Sequence, residues 1–202
     1  LEAMYKSMKD DQSTEQKRRD YADVREAVKR PEFVEELKRE QVGNYAVLRN
    51  TCSMTILSGS NKINVVPPEA SLELDCRLLP DQSPAAFIEE LKGIVNDPTV
   101  SFETLVSFAP ATSPVDTELF RAIALNKQDN YPGAALVPGV SPAFTDSHFF
   151  REIGIVSYGY SPAVIPISEF QGIHGNNERI SVANLHKGTA MLTRLLLDFT
   201  VN

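Results

Sequence analysis

Apolar positions along this chain change period, and each change predicts a change of element. Over residues 1–40 they recur at helical spacing: Leu1, Met4, Tyr5 and Met8, then Val24, Ala27 and Val28. Intervals of three and four residues place such side chains on one helix face. Ser13-Thr14-Glu15 offers a cap for a second, highly charged helix. Pro31 predicts a break before Phe33-Val34-Glu35-Glu36-Leu37.

Beyond residue 50 the signals turn to strands. Thr51-Cys52-Ser53-Met54-Thr55-Ile56-Leu57 is a strand candidate, and Gly59-Ser60-Asn61-Lys62 reads as a turn. Asn64-Val65-Val66-Pro67-Pro68 is extended, because a residue before proline is pushed out of the helical region. Over residues 70–78 the period is two: Leu72, Leu74, Cys76 and Leu78 face one way, Ser71, Glu73, Asp75 and Arg77 the other. Pro80-Asp81-Gln82-Ser83 leads into a helix with Phe87, Ile88, Leu91, Ile94 and Val95 on its apolar face, and residues 100–106 read as a closing strand. Helix, strand, strand, helix, strand over residues 1–108 is the order of a split βαβ sandwich without its first strand.

Pro110-Ala111-Thr112-Ser113-Pro114 predicts a linker to a second part, residues 109–202. There the pattern predicts a helix over 116–130, a strand over 134–137, a short helix over 146–152 and a buried-type strand over 155–158. A last helix over 182–199 should turn Leu185, Met191, Leu192, Leu195, Leu196 and Phe199 inward. Alternating helices and short strands predict an incomplete α/β layer. The chain opens inside a helical pattern without an initiator Met, which predicts a missing N-terminus; the compartment stays open between cytoplasm and bacterial periplasm.

Composition narrows the function classes. A formal charge of −7 on 202 residues, without a cluster of Lys and Arg, argues against a nucleic-acid partner. No apolar run approaches the length of a membrane span. Two cysteines make no disulfide framework. Cys52 and Cys76 both lie in strand-like segments and are read as buried free thiols, with neighbouring positions in one sheet as the alternative.

Of three histidines, His186 sits in the amphipathic last helix and reads as packing or surface. His148 follows Thr145 and Asp146, either of which would cap the next helix. His174 differs, because Gly172 and Gly175 flank it and allow close backbone approach to a ligand. One imidazole still cannot hold Zn²⁺, which takes three or four ligands. No HxD, HExxH, GxSxG, P-loop or GxGxxG motif is present. The Arg77 guanidinium is suited to clamping a carboxylate with two parallel hydrogen bonds, though its chemistry alone favours an ion pair with Asp75 or Glu73. The Asn64 amide is placed either to meet a substrate carbonyl or to fix its turn.

Several motifs occur together in order. Lys62-Ile63-Asn64-Val65-Val66-Pro67 followed by Leu74-Asp75-Cys76-Arg77-Leu78-Leu79-Pro80, then Phe144-Thr145-Asp146-Ser147-His148-Phe149-Phe150, then Ile173-His174-Gly175-Asn176-Asn177-Glu178, resemble the zinc aminoacylase/carboxypeptidase family. The resemblance spans about residues 50–185. It implies an α/β enzyme whose catalytic domain carries an inserted lid of split βαβ (ferredoxin-like) type that mediates dimers. Residues 1–108 would be that lid and 109–202 the C-terminal portion of the catalytic domain. By the same resemblance His174 ligates one of two zinc ions, Arg77 grips the substrate carboxylate, Asn64 contacts the scissile amide, and Thr145 lies near the substrate. The implied reaction is hydrolysis of the amide bond of an N-acyl amino acid or dipeptide. The family's His-x-Asp, bridging Asp and Glu-Glu pair have no counterpart here, so the chain by itself is expected to be inactive. The competing reading is a stand-alone, non-enzymatic dimerisation or interaction module.

Overall fold

The computed structural model describes residues 1–141, 143–170 and 172–201, with the side chains of 167 and 168 set aside. The chain forms two compact units: Leu1–Thr112 with Gly139–Ile155, and Ser113–Pro138 with Val156–Asn202.

The first unit begins with a helical layer: α1 (Glu2–Ser7), α2 (Glu15–Ala22), α3 (Val24–Ala27), α4 (Pro31–Glu40) and α5 (Val42–Ala46). Local chemistry sets the boundaries. The Thr14 hydroxyl accepts from the Lys17 amide at 3.2 Å and starts α2, and Asp23 does the same for Glu26 and α3. Pro31, expected as a break, opens α4, where the missing proline N–H has no helical acceptor to lose. Tyr5, Tyr21, Val24, Ala27, Phe33 and Leu37 are buried together. The Tyr5 and Tyr21 rings lie 5.1 Å apart, and Phe33 meets Tyr21 edge-on at 6.3 Å. Burial forces each phenol to find a partner: Tyr5 donates to the Asn44 carbonyl at 2.7 Å and Tyr21 to the Gln41 side chain. Burial of the ring and the Tyr21 phenol beside it push the Tyr5 phenol well above its ordinary range; burial raises Tyr21 as well. Asp20, also buried, is paired with Arg30 and accepts from Gln16 at 2.8 Å.

Next come β1 (Thr51–Ser58) and β2 (Ser71–Arg77), an antiparallel pair. Thr51, Cys52, Ser53 and Met54 stand opposite Arg77, Cys76, Asp75 and Leu74; the register then shifts, and Ile56 faces Glu73. Thr55 is the extra residue, and its hydroxyl donates to the Glu73 carbonyl at 3.2 Å. Cys52 and Cys76 are joined as a disulfide, which corrects the expectation of buried thiols: Cys52 is exposed and Cys76 half-buried. The two-residue alternation of β2 is present, yet Leu72 and Leu74 remain 46% and 40% exposed. After them α6 (Pro84–Val95) is capped by Ser83, half-buries Phe87, Ile88 and Leu91, and ends on Asn96 at φ 47°. Ile94 and Val95, expected on its inner face, are exposed.

Residues 100–106 form no ladder among the described residues, contrary to expectation. Strand-forming side chains do not suffice where no neighbouring strand takes up the backbone N–H and C=O groups. The 134–137 and 155–158 segments likewise form no ladder among the described residues. At Ser157 the Ser113 hydroxyl stands where a ladder partner would, donating to its carbonyl at 2.8 Å and accepting from its amide at 3.1 Å.

The second unit is built on α7 (Glu118–Asn130), capped by Thr117, and α10 (Val182–Val201); between them in sequence come α8 (Ser147–Glu152), which belongs to the first unit, and the short α9 (Ile167–Phe170). Ile123, Met191 and Leu195 are buried, and the buried Asn126 amide donates to the Met191 carbonyl at 3.0 Å. Of the six side chains expected inward on α10, only Met191 and Leu195 are; Leu185, Leu192, Leu196 and Phe199 are exposed. The buried positions 188, 191 and 195 make one narrow stripe, the width a single partner helix covers.

Candidate functional site

Three of the four expected site residues belong to the first unit, on three different kinds of backbone. Arg77 is the last residue of β2, and alternation puts its side chain on the face of Asp75. Its Nη2 lies 2.6 Å from Asp75 Oδ2, with both side chains about half exposed (44% and 48%). The ion pair expected from plain chemistry is therefore present. Water screens such a pair to about 0–1 kcal/mol, so Asp75 holds the guanidinium only weakly.

Asn64 sits in an exposed turn closed by the Val65 amide donating to the Lys62 carbonyl at 3.3 Å. The Ser60 hydroxyl organises that turn, accepting from the Lys62 amide at 3.1 Å. Thr145 is exposed at the entry to α8 (Ser147–Glu152), where its carbonyl accepts from the His148 amide at 3.2 Å. Asp146 occupies the cap position of α8 but makes no side-chain cap, which corrects the expectation that Thr145 or Asp146 would. No hydrogen bond or ion pair joins any two of Asn64, Arg77 and Thr145 among the described residues.

His148 is a packing histidine. It is 7% exposed, with the rings of Phe108 and Phe149 at 4.6 and 5.2 Å and Phe144 at 5.8 Å. Its Nε2 comes within 3.1 Å of the Glu152 carboxylate one turn along, at an angle that misses a hydrogen bond.

His174 lies in the second unit, in the exposed loop over 172–177. Gln171, just before this loop, lies outside the described residues. The His174 backbone is left-handed at φ 61°, and its amide donates to Glu178 Oε2 at 3.1 Å. A non-glycine residue held there costs on the order of 1–3 kcal/mol. The glycines make the turn possible: a Cβ on Gly175 would stand 3.2 Å from the Gly172 carbonyl oxygen, and one on Gly172 3.3 Å from that of Glu169. The imidazole is thus displayed to solvent rather than tucked into a core.

One imidazole does not make a metal site. Among the described residues no three His, Cys, Asp or Glu side chains gather closely enough to hold an ion. The described residues do not by themselves fit zinc. The sequence reading missed two features, the Cys52–Cys76 bond and the Glu178 carboxylate that holds the His174 turn. The first needed the strand register, which a bulge at Thr55 obscures. The second was legible as an acceptor four residues past a glycine-flanked turn.

Residues 5–103 match the peptidase dimerisation domain, a stretch running from α1 through β1, β2 and α6. The chain is also similar to the N-fatty-acyl-amino acid synthase/hydrolase PM20D1 of Mus musculus, 31% identical over 152 residues, covering 73% of this chain and 30% of the relative. Residues 5–103 carry the dimerisation domain of the aminoacylase/carboxypeptidase peptidases. Other relatives in the family are the probable carboxypeptidase S-like 2 of Dictyostelium discoideum, 26% identical over 69% of this chain and 27% of its own length, and aminoacylase-1B of Rattus norvegicus, 32% identical over 71% and 35%. The chain thus spans about a third of the length of these relatives. No solved structure matches it. The match places the five-helix layer and the β1–β2 pair, with Asn64 and Arg77, inside the dimerisation domain of the family.

Proposed function

We propose that this chain is the dimerisation-domain-bearing part of an amide hydrolase that cleaves N-acyl amino acids or dipeptides with a free carboxylate. The observation that carries the reading is an exposed, strand-borne Arg77 within a peptidase dimerisation domain whose relatives are named as hydrolases and aminoacylases of amino-acid conjugates. Arg77 exchanges Asp75 for the substrate carboxylate, a planar match of guanidinium to carboxylate. Asn64 donates its amide to the oxygen of the scissile carbonyl, and Thr145 lines the substrate site. His174 contributes a single imidazole to a zinc site whose other ligands this chain does not carry. Residues 1–108 act as the lid of split βαβ type, and residues 109–202 belong to the catalytic domain. Two copies of the lid pair to form a homodimer. The disulfide fits an oxidising compartment, which of the two considered is the bacterial periplasm.

The test is product release from a panel of N-acyl amino acids and dipeptides, with and without added zinc. The full-length protein is expected to turn over members of the panel and the 202-residue chain alone to release nothing. Turnover by the chain alone, or none by the full-length protein, contradicts the reading. A non-enzymatic interaction module is favoured by one feature, the open apolar side chains Met54 and Leu57 at 77% and 80% exposure. That reading predicts a stable complex and no product.

A further inference from the structure

The Cys52–Cys76 disulfide lies at a position where its loss would be felt at Arg77. Cys52 faces Cys76 directly, with Cα atoms 4.1 Å apart, one pair in from the end of the ladder. The terminal pair is Thr51 with Arg77, and the register shift between Met54 and Ile56 interrupts the ladder on the other side. Four regular pairs, Thr51–Met54 against Leu74–Arg77, fix this end of the ladder, and just beyond it the Asn50 side chain accepts from the Leu79 amide at 2.9 Å. Apolar burial does little to hold them, since Met54 and Leu74 are 77% and 40% exposed and the sheet has only two strands. Two strands without a covered face are marginal in water. The crosslink ties together residues 24 apart in sequence and so supplies the constraint that packing does not. It is also within reach of a reagent, because Cys52 is exposed and Cys76 is not fully buried.

We propose that Cys52–Cys76 is a redox-modification site, opened by a protein or small-molecule dithiol, that sets how firmly Arg77 is held. In the step, one thiolate of the dithiol attacks Sγ of the exposed Cys52, and Cys76 leaves as a thiolate that takes a proton from water. The second thiol of the reagent resolves the mixed disulfide and frees Cys52. Two electrons pass to the protein, and the dithiol becomes a disulfide. Opening leaves the Thr51–Arg77 end of the ladder to fray, and Arg77 with its Asp75 partner loses its fixed direction. The consequence for substrate rests on the carboxylate role proposed above; the opening itself does not.

The experiment uses the full-length protein, isolated without reductant, and dithiothreitol as the probe. Native thiol titration counts the released sulfhydryls, hydrogen exchange follows residues 51–58 and 71–77, and steady-state kinetics follow an N-acyl amino acid. Before reduction no thiol from Cys52 or Cys76 is expected, and after it two. Exchange at 51–54 and 74–77 should then quicken at least tenfold, with KM rising severalfold and kcat little changed. The double variant Cys52→Ser with Cys76→Ser should match the reduced protein and ignore dithiothreitol. Free thiols at the outset, a bond that resists dithiothreitol in the folded protein, or reduction without faster exchange would each overturn the proposal. Faster exchange with an unchanged KM upholds the clasp and removes Arg77 from the substrate site instead.

Discussion

At the scale of single residues, the chemistry rests on side chains left open rather than side chains buried. Asn64 is exposed on a short turn, and its proposed partner is an oxygen that gains charge as the amide is attacked. Removing one such donor typically costs about 100- to 1,000-fold in kcat. Asn64→Ala in the full-length protein should therefore lower kcat by that order and move KM far less; a pure KM effect would assign Asn64 to turn formation. His174 carries a backbone conformation that few side chains adopt, held by its own amide on Glu178. His174→Ala should lower the metal bound per chain in the full-length protein, read by elemental analysis after dialysis. An unchanged metal content would make the histidine a loop residue. Glycine at position 174 is the informative control, since it relieves the left-handed backbone while also removing the ring.

At the scale of elements, the helical layer has the most complete physical account. Its periodicity and its Thr14 cap were legible in the sequence because they are local; the aromatic core of Tyr5, Tyr21 and Phe33, which joins separate helices, was not, and Val28 is exposed. The strands were legible one by one, but their pairing was not. The bulge at Thr55 shifts which side chains share a face, so the Cys52–Cys76 opposition could not be read from alternation alone. Segments 100–106, 134–137 and 155–158 carry strand-forming residues yet form no ladder among the described residues, which no local pattern reveals. The aromatic core makes a prediction about pH. Burial raises the Tyr5 and Tyr21 phenols above their ordinary value near 10, so the neutral ring is the form the fold prefers. That contribution is complete below pH about 10 and is lost as pH rises toward the folded values, by up to about 1.4 kcal/mol per pH unit for each phenol. Denaturant melts at pH 9 to 11 should show this fall, and Tyr5→Phe should flatten it, while losing about 1 kcal/mol at neutral pH with the bond to the Asn44 carbonyl. An equal alkaline fall in the variant would place its origin elsewhere.

At the scale of the whole molecule, the four expected site residues divide between two compact units, Asn64, Arg77 and Thr145 in one and His174 in the other. The sequence motifs carried this site only through resemblance, since residue chemistry alone read Arg77 as an ion pair and His174 as a single donor where zinc takes three or four. Exposed apolar groups, Met54, Leu57, Ile63 and Val66 at 77%, 80%, 107% and 91%, mark surface that a partner or further polypeptide would cover. Sedimentation of the full-length protein should give a dimer at micromolar concentration, and a Leu57→Asp change should shift it toward monomer without unfolding the helical layer. A dimer untouched by that change would move the interface away from β1.

The carboxylate grip of Arg77 is the central claim, and one comparison tests it most directly. The kcat/KM of the full-length protein is measured for an N-acyl amino acid and for the same compound with its carboxylate converted to an amide, in the wild type and in Arg77→Ala. The wild type should favour the acid about 10- to 100-fold, the worth of a charge-assisted bond of about 1.5–3 kcal/mol, and Arg77→Ala should erase the preference by losing the acid alone. A wild type indifferent to the carboxylate, or a preference that survives in Arg77→Ala, would contradict it.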